Sequence, residues 1–182
     1  MSSKTNAYDA IVRAAETVVV EAGASHMTLD AVAAKAGVSK GGLLHHFPNK
    51  MALIEAMINR LIDARRELRK DIWKKLPDTP SRGLKAFMLS TLLRDKKSDL
   101  VGAPLLAALA HNPKLAEPVR EAIRNAFSEI VSSGIKFERA ALLALAADGL
   151  LLQEILSISP FTEEQRNMVV DELIRLADED IK

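Results

Sequence analysis

The chain has 182 residues, 25 of them Lys or Arg and 24 Asp or Glu, so its formal net charge is only +1. This balance argues against a protein that coats nucleic acid through a generally basic surface, although a local basic patch stays possible. Cysteine is absent, which excludes disulfides and thiolate metal sites and favours a cytoplasmic protein. We expect no signal peptide before the first polar helix, and no membrane span, since no apolar run reaches about 18 residues.

The first predicted helix covers residues 7–23. Apolar residues recur along it at helical spacing, and Gly23 ends it. They are Ile11, Ala15, Val18 and Ala22. This helix is long enough to pack across the two short helices that follow.

The stretch 28–50 predicts two short helices joined by a tight turn. In the first, 29–36, Leu29, Val32 and Ala33 form one apolar face. Thr28 can cap its start, and Gly37 supplies the positive φ that ends such a helix at low steric cost.

Ser39 can cap the second short helix, 40–46. Leu43 and Phe47 should face inward, Pro48 ends the helix, and Asn49 can cap the long helix that follows. Two helices joined by a short glycine-containing turn form the helix-turn-helix unit. With the first helix they would make a compact three-helix head.

The fourth predicted helix runs from 51 to about 76. Its outer face is basic, and the simplest interpretation is a solvated face paired with Asp63, Glu67 and Asp71. The basic residues are Arg60, Arg65, Arg66, Arg69, Lys70, Lys74 and Lys75. A proline at each end of 77–80 predicts a linker.

The remaining helices are predicted at 81–95, 98–110, 114–133, 137–158 and 162–180. Thr162 and Gln165 fit a capping box at the start of the last one. We find no strand alternation, so the predicted fold is all-α. About nine helices form a three-helix head, a long fourth helix and a C-terminal helical domain.

Residues 140–158 are apolar nearly all round, which is typical of a helix buried on several sides. The last helix has one apolar side, formed by Met168, Val169, Leu173, Leu176 and Ala177. We predict that these two helices, about 137–158 and 162–180, meet their symmetry mates as a four-helix bundle in a homodimer. An ordinary monomer core is the alternative.

Residues 7–53 resemble the DNA-binding domain of the TetR family of bacterial transcriptional regulators. The resemblance rests on T-L-D-A-V-A at 28–33, A-G-V-S-K-G at 36–41 and H-F-x-N-K at 46–50. The C-terminal part is similar only in size, helix count and the D-G-L-L-L-Q segment at 148–153. The resemblance implies a DNA-binding domain at 1–50 and a ligand-binding and dimerisation domain at 51–182. It also implies a repressor that binds a palindromic operator and is released by a small hydrophobic or amphipathic ligand.

Within this resemblance the second short helix enters the major groove. Lys40 could then meet a phosphate or guanine, Leu44 a thymine methyl, and Lys50 the DNA backbone. Solvent exposure is the alternative for each lysine. The predicted DNA-contacting residues are Thr28, Ser39, Lys40, Gly41, Gly42, Leu44, His45, His46 and Lys50. Backbone N–H groups near Thr28 and Ser39 suit phosphate.

The family pattern Gly-Thr-Leu-Tyr is Gly41-Gly42-Leu43-Leu44 here, so two hydroxyls are missing. Two glycines each cost roughly 1 kcal/mol against alanine inside a helix. We therefore expect a helix that frays when free and orders on DNA. Gly42 could also allow close approach of backbone to DNA.

The resemblance also places an effector in the C-terminal half. Candidate lining residues are Met57, Leu61, Trp73, Phe87, Met88, Leu92, Leu105, Leu109, His111 and Phe127. Each could equally be plain core. His111 and Asn112 could anchor a ligand or cap a helix end. Asp148 could bond across the dimer or cap a neighbouring element.

The sequence leaves two other functional classes to consider, an enzyme and an adaptor. An enzyme is disfavoured, because no nucleophile–base arrangement is present and the four histidines lack metal-ligand spacing. No cofactor or metal is expected. An all-helical protein-interaction adaptor without DNA affinity is the alternative function. Salt-dependent binding to duplex DNA would distinguish the regulator from the adaptor.

Overall fold

The computed structural model describes residues 3–93 and 96–179. The first four helices are α1 (Ser3–Ala22), α2 (Leu29–Ala36), α3 (Lys40–His46) and α4 (Lys50–Lys75). The others are α5 (Arg82–Leu92), α6 (Lys96–His111), α7 (Glu117–Ser132), α8 (Phe137–Ile155) and α9 (Glu163–Asp178). The described part of the chain contains helices and no strand, so the predicted all-α fold is confirmed.

Two compact units make up the described chain. The first lies within Met1–Leu61 and Lys97–Val119, and the second within Ile62–Lys96 and Arg120–Lys182. The boundary falls inside α4, so this one helix contributes to both units. The predicted functional division at residue 50 stays a prediction.

In the first unit most of the apolar face predicted for α1 is buried, although Ala22 at its end is exposed. Ile11, Ala15 and Val18 are all shielded from solvent, and α1 packs along α2. Leu53, Ile54 and Met57 of α4 are also buried. The three helices α1 to α3 therefore share an apolar interior, as the sequence indicated.

The core of the second unit joins α5, α7, α8 and α9. Leu84 and Met88 of α5, Ala144 and Ala147 of α8, and Leu173 of α9 belong to one buried cluster. Burying such side chains contributes about 25 cal/mol per Å² of apolar surface. This cluster holds α8 and α9 against α5 within the unit.

Several helix ends differ from the prediction; α1 begins at Ser3 rather than 7, and α5 ends at Leu92 rather than 95. α8 stops at Ile155 rather than 158, because Ser157 takes a left-handed conformation with φ 55. The N–H groups of Ser157 and Ile158 then donate to the carbonyls of Glu154 and Gln153, which is a Schellman ending without glycine.

The helix predicted at 114–133 is also divided. A 3₁₀ turn, Pro113–Ala116, precedes α7, and the Asn112 side chain accepts a hydrogen bond from the Lys114 N–H at its start. Asn112 is thus a helix-end cap, one of its two predicted roles. The predicted break at 95–98 lies partly outside the described residues.

Candidate nucleic-acid interface

Side-chain caps define the α2–turn–α3 unit. Thr28 Oγ1 accepts a hydrogen bond from the Ala31 N–H at 3.2 Å, and Ser39 Oγ accepts one from the Gly42 N–H at 3.0 Å. Gly37 between the helices has φ 68 and ψ 28, the left-handed conformation predicted for it. Because these contacts satisfy N–H groups that a helix start leaves unpaired, both helices begin where the sequence predicted.

The short helix α3 has an inner and an outer face. Leu43 and Phe47 are buried in the first unit. Lys40, Leu44 and His45 are exposed. The side chains predicted to contact bases or phosphates therefore lie on the outward face.

The predicted contact Lys40 has an intramolecular partner. Its Nζ lies 3.0 Å from Asp30 Oδ1, and both side chains are well exposed. The pair joins the first turn of α2 to the first residue of α3. An exposed pair of this kind contributes only about 0.2–1 kcal/mol, so a phosphate can compete for the lysine.

Lys50 lies at the first residue of α4. Its Nζ donates a hydrogen bond to the Ser25 carbonyl oxygen at 2.7 Å. The predicted cap on this helix is present, since Asn49 Oδ1 accepts from the Ala52 N–H at 2.9 Å. Lys50 thus ties the start of α4 to the segment after α1, a contact that the sequence did not indicate.

The two histidines differ in their surroundings. His45 is exposed, whereas His46 is half-buried, with its ring centroid 6.4 Å from that of Tyr8. Tyr8 in turn packs on Phe47 at 4.9 Å. The sequence analysis did not single out Tyr8. Its position one helical turn before the buried Ile11 could have indicated that it packs against the helix-turn-helix.

The glycine pair occupies two different environments. A Cβ added at Gly41 would meet no atom within 4 Å, whereas one at Gly42 would lie 3.2 Å from Ser39 Oγ. Both positions are exposed. Gly41 therefore faces open space, while Gly42 makes room for the hydroxyl that caps α3.

The residues predicted to line the effector site are divided between the two compact units. Phe87, Met88 and Leu92 lie in the core of the second unit, with Phe127 packed against them. Met57, Leu61, Leu105, Leu109 and His111 lie in the first unit. His111 is exposed, and its Nδ1 is 2.8 Å from the Ala107 carbonyl oxygen.

Trp73 is the predicted effector residue that lines a groove of about 960 Å³ in the second unit. The groove lies along the C-terminal half of α4, the start of α5 and α7. Trp73 is 45% exposed, and the guanidinium carbon of Arg82 lies 3.6 Å from the centre of its ring. The ligand set as a whole stays a prediction.

Asp148 on α8 faces α4 within the second unit. Its Oδ1 lies 3.9 Å from Arg65 Nη2. Burial raises the pKa of Asp148 above its usual value of 3.8, and the positive charge of Arg65 partly offsets this. The observed partner is thus a cation of the same chain, which neither sequence interpretation named.

An exposed apolar face covers α8 on the side opposite the core. Leu142 is 70% exposed and Leu145 67%, and Leu152 and Leu156 are exposed beyond them. The sequence placed five apolar residues of α9 on one side, but the structure separates them. Leu173 and Ala177 are buried in the core, whereas Met168 is 65% exposed.

No group of three or more His, Asp or Glu side chains within the described residues is placed to hold a metal ion. Among the described helices, none has the length and apolar content needed to cross a bilayer.

The three-helix head and its capped α2–turn–α3 unit define a helix-turn-helix regulator. Residues 11–57 match the family described as bacterial regulatory proteins, tetR family, and residues 81–178 match the tetracyclin repressor-like C-terminal domain. The chain therefore belongs to the TetR family of transcriptional regulators. Its N-terminal domain binds DNA and its C-terminal domain binds a ligand.

Individual relatives agree with this assignment. The HTH-type transcriptional regulator BetI of Cronobacter sakazakii is 26% identical over 179 residues, covering 91% of this chain and 87% of the relative. A transcriptional regulator from Rhodococcus sp. Rha1 is 27% identical with a TM-score of 0.75, covering 97% and 96% of the two chains. A regulator from Pseudomonas aeruginosa PAO1, at 17% identity, shares the fold with a TM-score of 0.77, covering 100% and 94%.

Proposed function

We propose that this regulator is a repressor that binds a palindromic operator as a homodimer and is released by a small hydrophobic or amphipathic effector. The observation that carries the proposal is the outward face of α3, where Lys40, Leu44 and His45 are exposed beside the capped start of the helix. Such a face suits the major groove, which a recognition helix enters with its N-terminal residues toward the bases.

Each predicted contact has a physical role in this proposal. Lys40 contacts a phosphate or a guanine, Lys50 contacts the DNA backbone, and Leu44 contacts a thymine methyl. The capped helix starts near Thr28 and Ser39 direct N–H groups toward phosphate. His45 contacts bases or phosphate, and the half-buried His46 contributes less.

The exposed apolar face of α8 supports the proposed dimer. Leu142, Leu145 and Leu152 would be covered by the same face of a second copy, together with Met168 of α9. A two-fold interface is self-complementary, so one such face suffices for both subunits. Two heads about 34–36 Å apart would then read the two halves of a palindrome.

The proposed switch is a shift between two populations. α4 begins at Lys50 and contributes to both compact units, so a ligand that displaces it in the second unit changes the first. The ligand acts only through its different affinities for the two states.

The test is selection from a pool of random duplexes, followed by sequencing of the bound fraction. We expect enrichment of an inverted repeat, with affinity that falls steeply as salt rises. Lys40→Gln should weaken binding and lower the magnitude of the log–log salt slope by about 1. Lys75→Gln, an exposed change at the far end of α4, is the matched control. Absence of any enriched duplex would contradict the proposal and favour the adaptor.

A further inference from the structure

The groove beside Trp73 has an apolar floor and cationic walls. Ala86 of α5 and Ala126 and Ile130 of α7 form the floor, and all three are buried. Five cationic side chains line it against two carboxylates, those of Asp78 and Glu129. The five are Arg66, Arg69, Lys70, Lys74 and Arg82.

Three of the five cations are paired along α4 itself. Arg66, Lys70 and Lys74 each contact the carboxylate three residues earlier, at 2.7 to 3.0 Å. These pairs are solvent-exposed, and exposed pairs within a helix are weak and exchange readily with other anions. Arg66, Lys70 and Lys74 therefore remain able to bind an anion at the rim of the groove.

Arg69 is different, because its side chain is only 21% exposed. Its Nη2 lies 3.9 Å from Glu129 Oε2 on α7, which is too long for a hydrogen bond. Glu129 is itself well exposed. The groove therefore holds a largely shielded guanidinium against a loosely placed carboxylate.

Arg82 and Trp73 form a fixed wall. The guanidinium lies over the indole at 3.6 Å, its Nε donates to the Trp73 carbonyl oxygen at 2.7 Å, and its Nη1 is 3.3 Å from Asp78. These three contacts hold the guanidinium over the indole ring. An aromatic surface and a held cation thus stand beside the apolar floor.

We infer that this groove binds an amphipathic anion, a flat apolar body that carries a carboxylate, sulfonate or phosphate ester. The apolar body packs on the floor beside Trp73, and the anionic group takes the place of Glu129 at Arg69. A carboxylate, or two oxygens of a sulfonate or phosphate ester, can accept both parallel N–H bonds of a guanidinium. The role of this anion as the effector rests on the proposed regulatory function.

The chain provides its own reporter, because Trp73 is its single tryptophan. The probes are anilinonaphthalene sulfonate and phenylnaphthylamine, which share an aromatic body but differ in charge. In the full-length protein, the sulfonate should quench Trp73 fluorescence and bind at least about tenfold more tightly than the neutral probe, as one charge-assisted hydrogen bond provides. Equal affinity for the two probes would overturn the inference.

Two substitutions should act in opposite directions. Arg69→Gln should abolish the preference for the sulfonate, whereas Glu129→Gln should strengthen sulfonate binding, because a competing carboxylate is removed. Lys75→Gln, outside the groove, is the charge-matched control and should change neither. If Arg69→Gln fails to fold, Glu129→Gln alone decides, and an unchanged sulfonate affinity there overturns the inference. Probe bound on the exposed α8 face would follow neither substitution.

The effector role is tested on operator DNA separately. Sulfonate that releases the wild type but not Arg69→Gln supports it. Sulfonate that occupies the groove yet leaves operator affinity unchanged overturns the effector role alone. Failure to bind any duplex would instead count against the proposed function, while fluorescence still decides whether the groove binds anions.

Discussion

The backbone nitrogen of Gly42 donates a hydrogen bond to Ser39 Oγ at 3.0 Å, and this hydroxyl lies beside the place that a side chain at position 42 would occupy. A Cβ there would lie 3.2 Å from the hydroxyl oxygen, closer than ordinary van der Waals contact. A side chain at position 42 would therefore disturb the cap of α3. For this reason, a change in operator affinity caused by Gly42→Ala would not by itself show that the backbone approaches DNA closely.

Gly41→Ala should stabilise the protein more than Gly42→Ala does. An alanine at Gly41 meets open space and gains up to about 1 kcal/mol of helix propensity. At Gly42 the same gain is opposed by crowding of the cap, whose loss costs about 1 kcal/mol. Urea denaturation measures both, and equal stabilisation would contradict the expected disturbance of the cap. If Gly41→Ala also preserves operator affinity, the backbone at Gly41 does not approach DNA closely.

Asp30→Asn should strengthen operator binding with little change in stability. The substitution removes a carboxylate 3.0 Å from Lys40 Nζ, and an exposed pair contributes no more than about 1 kcal/mol to folding. Fluorescence anisotropy with operator DNA at two salt concentrations measures the effect. Glu21→Gln, which breaks the similar exposed pair with Lys35 away from α3, is the control. Weaker binding by Asp30→Asn would show that the pair positions Lys40 for DNA.

Asp148 and Asp178 should give pH dependences of stability in two separate intervals. The pKa of Asp148 is raised by burial, so between 3.8 and that raised value the folded state holds a proton that the unfolded state has released. Its contribution to the free energy of unfolding therefore falls as pH rises through this interval. Asp148→Asn should lack this slope.

Asp178 should behave in the opposite sense. Hydrogen bonds from Lys85 and Ser81 lower the pKa of Asp178, so its contribution is present above 3.8 and is lost as pH falls through the lowered value. Urea denaturation of wild type, Asp148→Asn and Asp178→Asn from about pH 3 to about pH 7 separates the two. Parallel curves for wild type and Asp148→Asn would contradict the assignment of the raised pKa.

Leu145→Glu should dissociate the proposed dimer without unfolding the subunit. The side chain is 67% exposed in one chain, so the charge is tolerated in the subunit but not in an apolar interface. Sedimentation velocity measures the change. Leu100→Glu, at a leucine 59% exposed on α6, is the matched control. A dimer that survives Leu145→Glu would place the interface elsewhere.

Local chemistry made the starts of the side-chain-capped helices predictable. Thr28, Ser39, Asn49 and Thr162 all cap the helices assigned to them, and Gln165 completes the predicted capping box. Such caps depend on residues within three positions of one another, which a sequence displays directly. The end of α8 was missed because Ser157, not glycine, takes the left-handed conformation.

Contacts distant in the chain were much less predictable. The hydrogen bond from Lys50 to Ser25 spans 25 residues and the contact between Asp148 and Arg65 spans α4 and α8. Periodicity shows that Leu173 and Ala177 share a face, but which apolar face is covered depends on packing of other helices. The effector set has the same difficulty, because Met88 in a core and Trp73 on a groove look alike in sequence.

α8 carries two faces with no residue in common. Ala144 and Ala147 pack in the core of the second unit, whereas Leu142 and Leu145 lie on its surface and are available to contact another molecule. If the proposed dimer uses this outward face, its side chains can change the choice of partner subunit while the interior of the subunit stays the same.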